Sequence, residues 1–259
     1  MRTRALHEAL SPPPVNWIDR SIRRMQRTWY LGIVCALYVV AATALALAAL
    51  PSVALLLYVH DRTATAGLWA RALGISAALG TGLFLSGLTL LVVVPVYNLV
   101  LPTRIRSFRG GYFTIAALPW YVHNALLYLV RYTFLPFVTF TPFGIWFLRA
   151  MGMKIGRRAI VNTESISDAC MITIGDDSVI GGSVRLFAHY AGGGHLRIAP
   201  VVIGARSTIG ENATVMGNVV IGDDCVVAPH SVLLPGTRIG AGERWGYSSP
   251  TRQIDARRT

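Results

Sequence analysis

The sequence predicts N-terminal transmembrane α-helices followed by an all-β domain that is wound as a parallel β-helix. Three observations lead to this fold class. Two long segments of the first half carry no charged residue, arginines flank those segments, and aliphatic residues of the second half recur at every sixth position. The predicted order is a basic cytoplasmic N-terminal segment, a two-helix transmembrane domain, an interfacial or re-entrant helical linker, the β-helix and a C-terminal tail, at residues 1–28, 29–109, 110–152, 153–245 and 246–259.

Composition and charge narrow the class of protein. Apolar residues make up 53% of the 259 residues and charged residues only 14%, which excludes a disordered chain and argues against an ordinary soluble enzyme. Residues 1–158 hold 16 basic and 3 acidic residues, whereas residues 159–259 hold 8 and 9. The positive charge therefore accompanies the apolar half, as in membrane proteins. We expect no nucleic-acid partner, because no basic stripe remains in the polar half.

The first half has two candidate membrane spans. Residues 29–59 and 72–103 lack charged side chains, and each run exceeds the roughly 20 residues that a spanning helix needs. A short turn containing His60, Asp61 and Arg62 is predicted to join them. Basic residues flank the two outer ends: Arg20, Arg23, Arg24, Arg27, Arg104, Arg106 and Arg109. By the positive-inside rule, both ends are expected in the cytoplasm of a multi-pass inner-membrane protein.

The linker after the second span allows two interpretations. Residues 112–148 are apolar and aromatic but are interrupted by Pro119, Arg131, Pro136 and Pro142. They form either a re-entrant or short spanning hairpin, or helices that lie in the membrane interface. Both alternatives give an even number of crossings, so the C-terminal domain is expected to be cytoplasmic.

An internal repeat decides the fold of the second half. Aliphatic residues recur in phase at Ile203, Ile209, Val215, Ile221, Val227, Leu233 and Ile239. A small or medium residue follows four positions later at Ser207, Ala213, Val219, Cys225, Ser231 and Thr237. This spacing predicts a coil with three short strands per turn, whose interior takes the aliphatic side chains and whose corners take Gly or Asp. Ile155 and Ile174 are 19 residues apart, one more than three hexapeptides, which predicts a bulge or altered turn.

One stretch interrupts the repeat and contains the candidate chemistry. Between Leu186 and Val201 lie three consecutive glycines, which predict a loop extruded from the coil, and loops on rigid scaffolds often carry function. His189, His195 and His230 are the histidines of this half, and histidine is the side chain that most often serves as a general base. His230 is interpreted as a solvated turn residue. No third histidine stands in the relation to His189 and His195 that a metal site requires, so no metal is expected.

The repeat resembles the hexapeptide-repeat acyltransferase family, over residues 153–245. The resemblance implies a left-handed parallel β-helix, an acyl-CoA or acyl-carrier thioester as donor, no tightly bound cofactor, and a homotrimer with the active site between neighbouring coils. Residues 141–156 and 189–204 are also similar to the membrane-embedded terminal domain of polylysine-synthetase-type nonribosomal peptide synthetases. This narrower resemblance implies contact with membrane lipid and with a carrier protein or synthetase.

The candidate site residues follow from the loop and the resemblance. His189 is predicted to be the general base, because it stands where the loop leaves the coil and aligns with the histidine of the resembling group. Substrate binding is assigned to His195, Tyr190, Gly192, Gly193 and Arg197. In that group an acidic residue often follows the histidine, but here the position falls among glycines. The orienting carboxylate is therefore expected from a neighbouring coil, at Asp176, Asp177 or Glu211.

Two functions of different classes are compatible with these residues. The first is a membrane-anchored acyltransferase that moves an acyl or aminoacyl group from a thioester to a hydroxyl or amine, in peptide or cell-envelope biosynthesis. The alternative is a non-catalytic β-helix scaffold that assembles or docks a nonribosomal peptide synthetase.

Overall fold

The computed structural model describes residues 26–192, 195–246 and 253–254. Most of the predicted N-terminal segment and C-terminal tail lies outside these residues. The described chain has a helical part and a coiled β part. One continuous apolar core runs through both, from Leu91 of the second long helix to Ile239 in the last coils.

Two long helices open the described chain. Helix α1 spans Gln26–Arg62 and helix α2 spans Leu68–Val100, and both are long and apolar enough to cross a membrane. The helices pack closely where small residues meet, with the Ser52 hydroxyl 2.6 Å from the carbonyl oxygen of Gly82. The joining turn was predicted at His60–Arg62, but α1 continues through these residues and the turn occupies residues 63–67. His60, Asp61 and Arg62 contain no glycine or proline that would break the helix, and the glycine of this region, Gly67, is the N-cap of α2.

The linker folds against the rest of the protein. It contains strand β1 (Phe108–Gly110), helix α3 (Leu118–Arg131) and helix α4 (Pro142–Ala150). Helix α3 has 14 residues, or about 21 Å at 1.5 Å per residue, which is short for a spanning helix. One face of α3 is buried, and it packs on α2 and on the first coil of the β domain.

The β domain is a three-sided coil of parallel strands. Its coil strands are β2 (Lys154–Ile155), β3 (Ile160–Val161), β4 (Ile166–Ser167), β5 (Ile172–Ile174), β6 (Val179–Ile180), β7 (Arg185–Phe187), β10 (Val201–Ile203), β11 (Thr208–Ile209), β12 (Thr214–Val215), β13 (Val220–Ile221), β14 (Val226–Val227), β15 (Val232–Leu233), β16 (Arg238–Ile239) and β17 (Arg244–Trp245). The sheet orders are β16-β13-β10-β5-β2, β17-β14-β11-β6-β3 and β15-β12-β7-β4. Each sheet thus receives every third coil strand, which confirms the predicted three strands per turn.

The interior of the coil follows the predicted six-residue phase. All seven aliphatic residues from Ile203 to Ile239 are at most 3% exposed. Parallel pairing places Ile203 beside Ile221 and Ile221 beside Ile239, at an interval of one 18-residue turn. Burial of these stacked side chains is the main driving force for the coil.

The corners of the coil need unusual backbone geometry. A Cβ on Gly204 would overlap the backbone of Gly222 in the next turn, so the chain needs glycine at this close approach. Other corner residues adopt the left-handed conformation with a side chain, including Arg206 at φ 53° and Asp224 at φ 57°. These two form an exposed ion pair of 2.7 Å between adjacent turns, which contributes little to stability.

The predicted irregularity of the first coil lies between β4 and β5. The step from Val161 to Ile166 takes five residues and the step from Ile166 to Ile174 takes eight, so this turn has 19 residues instead of 18. The longer step includes a 3-10 turn at Ala169–Met171. Asp168 precedes this turn in the left-handed conformation, at φ 57°.

The predicted loop is a β-hairpin. Strands β8 (His189–Gly192) and β9 (His195–Ile198) pair antiparallel outside the coil, and β1 of the linker adds to β9 as a third strand. The sequence therefore predicted the departure from the coil but not its regular structure. The hairpin pairing satisfies backbone groups that an irregular loop would leave to solvent.

One sheet edge is occupied at each end of the coil. At the first turn, the Arg149 guanidinium of α4 donates hydrogen bonds of 2.9 Å to the carbonyl oxygens of Ile155 and Gly156, on the outer edge of β2. At the last turn, strand β18 (Gln253–Ile254) pairs antiparallel with β17. These contacts occupy edges that would otherwise offer unpaired backbone groups.

Neighbouring valines of β14 test the inward–outward alternation. Val227 is 1% exposed and Val226 is 38% exposed. We expect Val227→Ala to lower the free energy of unfolding by about 2 kcal/mol, through lost apolar burial and the cavity left behind. Val226→Ala, the same chemical change, is expected to stay within about 0.5 kcal/mol. Denaturation of the full chain in detergent, monitored by the circular dichroism of the β domain, measures both changes in the free energy of unfolding. Equal losses would contradict the inward face assigned to Val227 and the outward face assigned to Val226.

Candidate active site

His189 lies where the chain leaves the coil. Strand β7 ends at Phe187, and His189 begins β8 opposite Ile198 of β9. The imidazole side chain is 26% exposed. Its ring is flanked by Trp120 of α3, with ring centroids 5.2 Å apart in an edge-on arrangement, and by Phe187 at 5.9 Å.

A buried carboxylate orients this imidazole. The Nδ1 atom of His189 lies 2.6 Å from Oδ2 of Asp168, whose side chain is fully buried. Parallel pairing explains the approach, because Ser167 of β4 is opposite Phe187 of β7 and the residues that follow each strand come together. A carboxylate only accepts hydrogen bonds, so Nδ1 is the nitrogen that carries the proton.

Asn124 of helix α3 holds the other oxygen of this carboxylate. Its Nδ2 donates a hydrogen bond of 2.7 Å to Oδ1 of Asp168, and its Oδ1 accepts one of 3.0 Å from the Asp168 backbone N–H. Asn124 is 5% exposed, so both bonds are shielded from water. The side chain thus fixes both the carboxylate and the left-handed backbone of Asp168.

Two further contacts align α3 along strand β4. The Tyr128 hydroxyl lies 2.7 Å from Ser167 Oγ, and Arg131 Nη2 donates to Ser165 Oγ at 3.2 Å. Asn124, Tyr128 and Arg131 have the i, i+4, i+7 spacing of one helix face. This face therefore follows the first coil and places Asn124 at Asp168.

The orienting carboxylate was predicted at Asp176, Asp177 or Glu211, and this prediction is wrong. Asp176 lies 3.3 Å from Arg157, and Asp177 lies 2.6 Å from Arg158. Both are exposed at corners, as expected of repeat corners, and the hydrogen bond from Arg158 lowers the pKa of Asp177. Glu211 is also exposed. The partner is Asp168, which reaches His189 because the irregular step after β4 turns it toward the hairpin.

The residues predicted to bind substrate are spread along the hairpin. His195 is paired with Gly192, three residues from His189 along β8, or about 10 Å. Tyr190 is paired with Arg197, whose guanidinium lies 5.9 Å from the tyrosine ring.

Side chains alternate along a strand, so Tyr190 and His189 point to opposite faces of the hairpin. Gly193 lies outside the described residues. The structure thus gathers none of these residues at His189, and their substrate-binding role stays a prediction.

Sequence reasoning missed Asp168, Asn124 and Trp120. The one available signal for Asp168 was its position in the coil with 19 residues instead of 18. Asn124 and Trp120 carry no signal in the repeat, because they belong to the helical linker.

Neither Cys170 nor a cluster of metal ligands forms a second site among the described residues. Cys170 lies two residues after Asp168, but burial raises the pKa of its thiol to about 11, so it is protonated at neutral pH. Within the described ranges, no three His, Cys, Asp or Glu side chains are placed to hold a metal ion.

Comparisons with known proteins agree with this architecture. Residues 200–235 match the family model described as "Bacterial transferase hexapeptide (six repeats)". The match confirms the hexapeptide repeat, and it supports the predicted enzyme class, an acyltransferase. No curated protein matches the chain.

Three similar solved structures are acetyltransferases. A maltose O-acetyltransferase from Clostridium difficile 630 is 20% identical, with 39% of this chain and 68% of that chain covered and a TM-score of 0.36. A hexapeptide-repeat acetyltransferase from Vibrio cholerae is 25% identical, with 41% and 63% covered and a TM-score of 0.37. A galactoside acetyltransferase in complex with coenzyme A is 18% identical, with 51% and 80% covered and a TM-score of 0.41.

Substitutions in α3 test its attachment to the coil. Asn124→Leu removes the donor to Asp168 Oδ1 and leaves the buried backbone N–H unpaired, so we expect a loss of about 3 kcal/mol or more. Tyr128→Phe removes one hydrogen bond between neutral groups and is expected to cost about 1 kcal/mol. Thermal unfolding of the two purified variants in the same detergent shows which one loses more stability. A smaller loss of stability for Asn124→Leu than for Tyr128→Phe would contradict the role assigned to Asn124.

Proposed function

We propose that this protein is a membrane-anchored acyltransferase that moves an acyl or aminoacyl group from a thioester to a hydroxyl or amine. The observation that carries the proposal is the hydrogen-bonded series Asn124–Asp168–His189 at the exit from the coil. Burying a charge is costly, and a fully buried carboxylate aimed at a partly exposed imidazole is more typical of a catalytic site than of a structural contact. The series therefore favours the enzyme over the scaffold.

His189 can act as general base through Nε2. With Nδ1 donating to Asp168, Nε2 accepts the proton of the acceptor hydroxyl or amine while the acceptor oxygen or nitrogen attacks the thioester carbonyl carbon. The new C–O or C–N bond forms, the C–S bond breaks, and the proton on Nε2 passes to the departing thiolate sulfur. The products are the acylated acceptor and the free thiol, and the imidazole returns to its neutral form.

Asp168 supports this cycle as a positioning residue. Its carboxylate keeps the proton on Nδ1 and stabilises the imidazolium that forms during the reaction. A preorganised charge is most effective where water is excluded, and Asp168 is fully buried. Asn124 holds that charge in place and leaves Oδ2 to His189.

Acyl-CoA is the first candidate for the donor, because of the likeness to the hexapeptide family. A carrier-protein thioester is the second candidate. The same proposal includes a left-handed coil, a homotrimeric assembly, and a carrier protein or synthetase as partner. The likeness to the membrane domain of polylysine-synthetase-type enzymes likewise stays a prediction from the sequence.

We place α1 and α2 in the inner membrane with the β domain in the cytoplasm. The support is the length and hydropathy of the two helices and the arginines that follow α2. Much of the outer surface of α1 is apolar and exposed, including Tyr38 and Val39, which suits contact with lipid.

Activity assays test the base. We expect His189→Ala to lower the rate of acyl transfer by about 10²–10⁴-fold, the range typical of a lost general base. Asp168→Asn is expected to lower it as well, while His195→Ala and His230→Ala retain most of the rate. The assay measures free thiol released from acetyl-CoA and from an aminoacyl carrier thioester, with a panel of alcohol and amine acceptors. Retained activity in His189→Ala would overturn the acid–base role.

Cysteine labelling in intact cells tests the topology. In a Cys35→Ser background, Ala64→Cys in the turn between α1 and α2 is expected to react with an impermeant maleimide from outside. Ala241→Cys, exposed at a coil corner, is expected to react only after permeabilisation. Labelling of Ala241→Cys in intact cells would contradict a cytoplasmic β domain.

A further inference from the structure

An apolar cavity lies between helix α1 and the linker. Its volume is about 470 Å³, within the range of pockets that bind small ligands. The walls come from α1, from the segment before α3 and from α3 itself, with Ile33, Val34 and Phe113 among the lining residues. No Asp, Glu, Lys, Arg or His side chain lines the cavity. An occupant of matching chemistry is a hydrocarbon chain.

This cavity adjoins the candidate active site through two of its lining residues. Trp120 and Asn124 both line it, and these are the residues that contact the His189 ring and the Asp168 carboxylate. A second apolar cavity lies against α1, Pro102 and Val122, but none of its lining residues bonds to Asp168 or His189. Of these two cavities in the described part of the chain, the first is therefore the one suited to present an apolar ligand to Asp168 and His189.

Trp120 is shared by the cavity wall and the candidate base. Its ring lies edge-on to the imidazole of His189, with ring centroids 5.2 Å apart. Its Nε1 atom is buried and has no hydrogen-bond acceptor among the residues that the structure describes. A buried donor is normally satisfied, so this indole is an unusual group to find beside a candidate base.

The outer wall indicates where the ligand comes from. The wall is formed by α1, which is apolar enough to cross a membrane and exposes Tyr30 at 49% and Leu31 at 51%. A molecule that enters along this helix arrives from the lipid phase. A soluble thioester donor would approach from water, where an apolar wall offers its charged groups no partner.

We propose that the acyl acceptor is a membrane-borne amphiphile whose hydrocarbon chain occupies this cavity and whose hydroxyl or amine lies at His189 Nε2. The inference rests on the proposed acyl transfer and names its acceptor class. Substrate would then reach the base from the bilayer while the donor reaches it from the cytoplasm.

Matched tryptophan substitutions on α1 test the proposal. Val34→Trp fills the cavity, whereas Val39→Trp places the same side chain on the outer surface, where Val39 is 64% exposed. With acetyl-CoA as donor, we expect Val34→Trp to raise the KM for a long-chain alcohol in mixed micelles about tenfold or more. The expectation follows because each methylene excluded from an apolar site weakens binding about fourfold. Val39→Trp should match the unaltered protein.

A binding measurement is independent of turnover. A long-chain alcohol with a terminal diazirine is photolysed with the full chain in detergent, and labelled peptides are identified by mass spectrometry. We expect labels on the cavity walls of α1 and α3, lost in Val34→Trp and kept in Val39→Trp. Ala125→Leu, a smaller change in the same cavity, gives the same comparison if Val34→Trp fails to fold.

The outcomes separate this inference from the proposed function. Transfer that depends on His189 but is equally efficient with a short water-soluble alcohol, and unaffected by Val34→Trp, would overturn the lipid acceptor and leave the acyltransferase standing. If the enzyme preferred long-chain acyl-CoA, and if this donor prevented labelling of the cavity, the cavity would belong to the donor and the proposal would be overturned. If no acceptor gave His189-dependent transfer, the proposed function and the acceptor role would be overturned together, even if residues of the cavity were labelled.

Discussion

The molecule depends on one buried charge, the carboxylate of Asp168. A fully buried ion without partners would cost several kcal/mol, so the native state needs a donor on each oxygen. Asn124 supplies one from the linker helix and His189 supplies the other from the hairpin. Three segments that are far apart in sequence are thereby required to meet at one group. Formation of the site and docking of the helical part onto the coil are consequently a single structural event.

The proposed active site lies where the repeat is interrupted. The regular turns from Ile203 onward form a stack with few reactive side chains. The departures from six-residue spacing after β4 and after β7 supply Asp168 and His189. Strand β1 pairs with β9 and ties the hairpin to the end of α2. The stack thus serves as a support that holds two irregular segments against the helices.

Most of the fold could be predicted from the sequence, because its two halves follow strong periodic rules. The charge-free runs predicted α1 and α2, and the aliphatic phase predicted each inward residue from Ile203 to Ile239. His189 could be selected by its position before the glycines. Asp168 and Asn124 could not, since their meeting depends on how α3 docks, and docking is set by contacts such as Tyr128 with Ser167 rather than by local spacing. The third strand of the hairpin sheet, β1, could not be predicted, because it lies about 90 residues upstream of β9.

The contacts of Arg149 restrict how copies of this chain can associate. Its guanidinium occupies the carbonyl oxygens on the outer edge of β2, and β18 covers β17 at the opposite end. A second coil could not extend these two sheet edges end to end without displacing Arg149 or β18. Apolar side chains on the lateral walls, including Val226, Val232 and Leu234, stay exposed. Packing of copies through these walls would keep their helical parts on the same side, as a shared membrane plane would require.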